Sequence, residues 1–179
     1  MLSDETILLR APEPEDLEFL YQWENDTSLW QYGNTQAPLS RFVLREYLRE
    51  AAKDIYSTRQ LRLMICMKDQ PSQAIGAVDL FDFDPLHLRA GVGILLDQAH
   101  RKQGFAAQSL GMIKEYARVQ LGLHQLFCSI TENNPESISL FESSGFELCG
   151  VQKHWTRIGS RWYSQHLYQC LLIPENEYQ

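Results

Sequence analysis

Apolar and polar positions follow two rhythms along this chain, and the change from one to the other falls near Leu61. Ahead of it, Ile7 to Arg10 forms a short apolar run that predicts a strand. Pro14 then opens a helix with Leu17, Leu20 and Tyr21 on one face up to Trp23. Ser40 is placed to cap a second helix, with Leu44, Leu48, Ala51 and Ile55 at helical spacing. Between these helices lies Asn25 to Leu39, a loop or short helix that holds Trp30, Tyr32 and Gly33. From Leu61 the pattern becomes that of strands: Leu61 to Met67, Ala74 to Phe83 and Leu88 to Leu96, with polar turns at Asp69 to Ser72 and Asp84 to His87. That is an antiparallel meander. A helix from Gly104 to about Gln120 follows, its apolar face made by Ala106, Leu110, Ile113, Ala117 and Leu121, and then a strand from Gln125 to Ile130. Asn134 caps a further short helix with Pro135 in its first position, Glu136 in its first turn and Gly145 just past its end. Strands near Phe146 to Trp155 and Trp162 to Leu172 complete the pattern, without repeats or low-complexity tracts.

This order predicts an α/β chain, a mixed sheet with helices on both faces. A length of 179 residues suits one domain spanning 1–179, large enough to bury most of its unfolded surface without disulfides or metals. The first residues, Met1 to Glu5, lack a basic region and an apolar core, and no apolar run approaches the roughly 18 residues of a membrane span. The expectation is a soluble, cytoplasmic protein with no membrane partner. Cys66, Cys128, Cys149 and Cys170 each stand alone in apolar, strand-like surroundings, without C-x-x-C spacing, and are expected to be buried reduced thiols. No two of the five histidines have metal-ligand spacing on a helix face, so no metal site is expected. The formal net charge of −7 argues against nucleic acid as a partner and is compatible with a cationic substrate, although it also simply favours solubility. A homodimer through an edge strand or the terminal hairpin is plausible.

The sequence Arg101-Lys102-Gln103-Gly104-Phe105-Ala106 joins the strand Val92 to Leu96 to the longest predicted helix. With Gly104 and Ala106 leaving the backbone uncovered, such a turn points several N–H groups and a helix N-terminus at one spot, which suits a pyrophosphate. An ordinary strand-to-helix connection with surface Arg and Lys would look the same. A second segment, Asn134 to Phe146, lies one helix and one strand further on. Together the two resemble the GCN5-related N-acetyltransferases. The acetyl-CoA motif of that family, R/Q-x-x-G-x-G/A, is matched by Arg101, Gly104 and Ala106. Its N-x-x-A/S-x-x-L-Y/F-x-x-x-G-F helix is matched by Asn134, Ser137, Leu140, Phe141, Gly145 and Phe146.

The resemblance implies a mixed, mostly antiparallel central sheet whose central strands splay to admit the pantetheine arm of acetyl-CoA, the cosubstrate. Gly91 and Gly93 fit such an opening, since glycine within a strand often marks a bulge or a close backbone approach. The backbone of Ile94, Leu95 and Leu96 would hold the pantetheine or polarise the thioester carbonyl. The amides of Gln103, Gly104, Phe105 and Ala106 would hold the pyrophosphate, Arg101 or Lys102 would add charge, and the Asn134 side chain would reach the cofactor. Two positions depart from the family. Phe141 stands where many relatives have a tyrosine that protonates the CoA thiolate, so water or Ser137 would serve as the acid while Phe141 packs against the cofactor. Gly91 replaces a glutamate, which leaves Asp79 as the candidate base. Strict alternation places Asp79 with Ala77 and Phe81 and puts Asp82 with Asp84 on the other face, and apolar neighbours would raise the Asp79 pKa. Glu132 is a weaker candidate.

The activity implied is transfer of an acetyl group to a primary amine, a polyamine or another small amine, by direct attack in a ternary complex. The C-terminal hairpin from Gly150 to Leu172 resembles that of spermidine acetyltransferases and of ribosomal-protein N-terminal acetyltransferases alike. Acetylation of protein N-termini therefore stays open, as does a CoA-binding module without transfer activity.

Overall fold

The computed structural model describes residues 2–33 and 35–172. Strands β1 (Leu2–Ser3) and β2 (Ile7–Arg10) precede a 3-10 turn (Pro14–Asp16) that leads into α1 (Leu17–Glu24). Another 3-10 turn (Trp30–Tyr32) lies before α2 (Arg41–Ala51) and α3 (Ile55–Thr58). The meander follows as β3 (Leu61–Met67), β4 (Ala74–Asp84) and β5 (Arg89–Leu96), then α4 (Phe105–Val119), β6 (Gln125–Thr131), α5 (Pro135–Ser143), β7 (Glu147–Ile158) and β8 (Arg161–Leu171). Among the described residues the strands form one sheet in the order β1-β2-β3-β4-β5-β6-β8-β7. The β5–β6 pair is parallel and the other neighbours are antiparallel. No helix among the described residues is long and apolar enough to cross a membrane.

The period-two pattern of the strands sorts their side chains onto two faces, each with its own core. Ile65, Val78, Leu80 and Val92 pack with Leu110, Ile113 and Phe146 on the α4 and α5 side. Leu8, Met64, Cys66 and Ala77 pack with Leu20 and Leu44 of α1 and α2 on the other.

Three local expectations are corrected. The predicted second helix does not continue to Ile55: it stops at Ala51, and Asp54 begins α3 by accepting the N–H groups of Tyr56 (2.9 Å) and Ser57 (3.0 Å). An aspartate that caps competes with helix continuation. Strict alternation fails in β4, where a bulge lies between Phe81 and Asp84 and Asp82 adopts φ 49°. Phe81 faces Gly91 and Asp84 faces Arg89, so the extra residue swings Asp84 to the side of Phe81 and Asp79. Finally, Cys66, Cys128 and Cys170 are buried but Cys149 is exposed, because β7 is the outermost strand. Burial pushes the Cys66 thiol up and the Cys128 thiol up to about 12. The terminal hairpin, one of the two places considered for a dimer contact beside an edge strand, also exposes Leu148, Val151, Trp155 and Trp162.

The feature that positions the site is where β5 and β6 part. They are in register from Arg89–Gln125 to Gly91–Phe127, and β5 then runs on to Leu96 without β6.

Candidate active site

A cavity of about 1020 Å³ opens at this divergence. Its floor is the end of β5, Ile94 to Leu96. One wall is the turn into α4, with Arg101, Lys102, Gly104 and Ala106, and the next is the first two turns of α5, with Asn134, Ser137 and Leu140. The remaining wall comes from the end of α1 and the loop after it, through Trp23, Glu24, Leu29, Trp30 and Tyr32.

The α4 wall offers the electrostatics that an anion favours. Gly104 precedes the helix at φ 88°, a left-handed conformation that glycine adopts without steric cost, and no side chain caps the helix. Its first-turn N–H groups are therefore left to a ligand. Arg101 ties this turn to β5 by donating from Nε to the Leu96 carbonyl (3.1 Å). Lys102 reaches across the mouth to Glu136 of α5, 3.1 Å away, with both side chains largely exposed. Gln103 and Phe105 are absent from the cavity wall. Gln103 donates to the Ala99 carbonyl (2.9 Å) and the Phe105 side chain is buried in the core, so both can offer a ligand only their backbone amides.

On α5, Asn134 caps the helix as predicted, its Oδ1 accepting the Ser137 N–H (3.2 Å). This leaves its amide nitrogen for a ligand. The expectation that Phe141 packs against the cofactor is corrected: Phe141 is buried and stacks edge-on to Phe146 at 5.0 Å, outside the cavity wall. Helical spacing alone would put Phe141 on the side of Ser137, four residues before it, so what keeps the ring out of the cavity wall is its packing in the core against Phe146.

The neighbourhood expected for Asp79 is also corrected. In place of apolar neighbours it has a guanidinium: Arg62 donates from Nε to Oδ1 (2.6 Å) and from Nη2 to Oδ2 (2.8 Å). Both carboxylate oxygens are engaged, and the side chain does not line the cavity. Burial works against the Arg62 charge, but Asp79 and Glu24 outweigh it and raise the Arg62 pKa. Glu132 serves the backbone, accepting the Ser164 N–H of β8 at 2.7 Å.

The sequence misses Glu24. Its carboxylate lies in the cavity wall, 3.2 Å from Nη1 of Arg62 and 3.5 Å from the Thr35 hydroxyl. Trp30 belongs to the same wall and steadies it by donating from Nε1 to the Glu24 carbonyl (2.9 Å). The Trp30 and Tyr32 loop is the one sign the sequence offers, since Arg62 is distant along the chain. Gly91 is explained by packing: a Cβ there would run into the Phe81 ring, 2.6 Å from Cζ.

An uncapped helix N-terminus, a strand edge free of its neighbour and an acidic far wall together suit a phosphorylated ligand with a slender arm that meets a cationic second substrate. Residues 6–147 match the model of the acetyltransferase (GNAT) domain. The chain is similar to the spermidine N(1)-acetyltransferase of Vibrio cholerae serotype O1, 27% identical over 140 residues that cover 78% of each chain. The enzyme of the same description from Escherichia coli strain K12 is 25% identical over 154 residues, 86% of this chain and 80% of that one. The crystal structure of the spermidine N-acetyltransferase from Vibrio cholerae in complex with CoA and spermine shares the fold, with a TM-score of 0.83 at 24% identity over 94% of this chain and 97% of that one.

Proposed function

Since the chain belongs to the GNAT acetyltransferase family and is thus an acetyl-CoA-dependent N-acetyltransferase, we propose that its acceptor is a polyamine or another small primary amine. The observation that carries this reading is the Glu24 carboxylate in the cavity wall among Trp23, Trp30 and Tyr32, across from the uncapped end of α4. A carboxylate bordered by aromatic faces favours a flexible cation, whose charge it balances while the rings contact its methylenes and ammonium groups. The spermidine acetyltransferases among the relatives point the same way.

In this reading the amides of Gln103 to Ala106 hold the pyrophosphate, with Arg101 and Lys102 adding positive charge. The pantetheine arm lies along Ile94, Leu95 and Leu96, where β5 lacks its β6 partner, and receives the amide nitrogen of Asn134. Backbone N–H groups of β5 then polarise the thioester carbonyl. The amine nitrogen attacks the carbonyl carbon, the C–S bond breaks, and the nitrogen passes its proton to water in the open cavity. Ser137, in the α5 wall, is the candidate donor to the departing sulfur. An alkyl thiol has a pKa of about 8.5, so the thiolate is a tolerable leaving group and a strong acid in the place of Phe141 is dispensable. Holding the two reactants together supplies much of the rate, and alignment of this kind is worth several kcal/mol. A cytoplasmic location is compatible with the use of acetyl-CoA.

The test is release of free CoA from acetyl-CoA by the purified protein, with spermidine, spermine, amino acids, aminoglycosides and peptides with free N-termini as acceptors. Turnover is expected with the polyamines. Turnover confined to the peptides would move the assignment to protein N-terminal acetylation.

A further inference from the structure

Arg62, Asp79 and Gly93 form one rung across the sheet, Arg62 opposite Asp79 on β3–β4 and Asp79 opposite Gly93 on β4–β5. Directly opposed residues project from the same face. This is the face of Met64 and Ala77, covered by α1 and α2. The rung ends in open space, for a Cβ on Gly93 would meet a single Phe81 ring atom, at 3.7 Å. Next along β5 is Ile94, in the cavity floor. Glu24 descends onto the rung from the end of α1 and is joined to it by Arg62.

The charges of this cluster do not balance. Arg62 supplies one positive charge against the two carboxylates of Glu24 and Asp79. Nearby Tyr47 contributes none: burial pushes its pKa up to about 12, and its hydroxyl has no hydrogen-bond partner. The Arg62, Asp79 and Glu24 side chains are only 15%, 20% and 26% exposed, and partly buried groups with an excess charge are costly until a counter-charge arrives. Asp79 holds Arg62 through two hydrogen bonds, whereas Glu24 shares only one with it and lies in the cavity wall. The excess negative charge is thus presented to the cavity at Glu24.

We propose that Glu24 anchors a second, non-reacting ammonium group of the acceptor while the reacting amine lies over Gly93, and that Arg62 and Asp79 are positioning residues that fix the Glu24 carboxylate. This rests on the small-amine reading and goes beyond it, because it requires two charges on the preferred acceptor and moves Asp79 from base to support. A primary amine with a neutral tail would lose the anchor contact. A charge-assisted contact of this kind corresponds to about tenfold to a hundredfold in affinity.

The test compares steady-state kinetics with spermidine, 1,4-diaminobutane and butylamine at saturating acetyl-CoA. The wild type should prefer the diamine over butylamine by about tenfold or more in kcat/KM. Glu24→Gln should raise KM for spermidine and the diamine by about the same factor and so abolish the preference for the diamine over butylamine. Asp79→Asn should give a smaller rise confined to KM. A wild type without diamine preference, or a Glu24→Gln protein that retains it, overturns the anchor. Collapse of kcat in Asp79→Asn, with loss of the acidic limb of the kcat–pH profile, makes Asp79 the base and overturns its positioning role. Failure of the parent reading looks different: the wild type would turn over peptides and neither polyamine nor diamine, and the anchor would fall with it.

Discussion

Gly91 stands where the family resemblance implies a glutamate, and the edge of the Phe81 ring takes the space its Cβ would need. Phe81 is directly opposite in the β4–β5 register and stands edge-on to Phe127 at 6.2 Å, so the ring is held on two sides and cannot easily yield. Gly91→Ala is therefore expected to destabilise the protein by about 1–3 kcal/mol, the usual cost of overpacking, as read by urea denaturation. Combined with Phe81→Leu, it should cost less than the sum of the two single changes, because the neighbours share one space. Additive losses would show that the ring is not what excludes a side chain here. The glycine is legible in the sequence, but its reason is not, since only strand pairing brings Phe81 over it. Asp79 shows the same limit: alternation gives its face, while the guanidinium that claims both its oxygens comes from the strand beside it.

Helix α5 shows how far a local signal reaches. Asn134, Pro135 and Gly145 delimit it in the sequence, and the cap forms as the motif predicts. Two tasks fall to Asn134 in the present reading: its oxygen caps the helix and its amide nitrogen meets acetyl-CoA. Asn134→Ala should lose both, costing about 0.5–2 kcal/mol of stability and raising the KM for acetyl-CoA. Asn134→Asp keeps an acceptor suited to the cap and removes the donor, so its melting temperature should stay near wild type while the KM still rises. A normal KM in the aspartate variant would assign the residue to capping alone. The fate of Phe141 could not be read at this level, because the helical repeat groups it with Ser137, while its burial depends on Phe146, which lies beyond the helix.

Across the whole molecule, the cavity lies between elements that belong to separate cores, with α4 and α5 on one side of the sheet and α1 with its loop on the other. A ligand that touches both sides ties them together and binds the folded state alone. At a concentration of 100 times its Kd, acetyl-CoA should add about 2.7 kcal/mol to stability. For a chain of this size that is a rise of roughly 5–10 °C in melting temperature, readable by differential scanning fluorimetry. The rise should saturate with acetyl-CoA, and its absence would mean that the α4 end of the cavity does not hold the cofactor.

The sequence by itself determined the order of the longer helices and strands, the meander, the glycine turn into α4 and the capped start of α5, but not β1 or the separate α3. These depend on period, capping and turn chemistry within a few neighbouring residues. The two motifs that carry the family resemblance also fall in the wall of one cavity, because both are turns and helix starts tied to such local signals. Only the tertiary structure decided the acidic wall opposite. Glu24 ends one helix, Arg62 and Asp79 lie on two strands, and their charges meet because helix α1 packs on the face that carries the rung. The β4 bulge and the parting of β5 from β6 are likewise properties of paired strands, which have no expression in either strand alone.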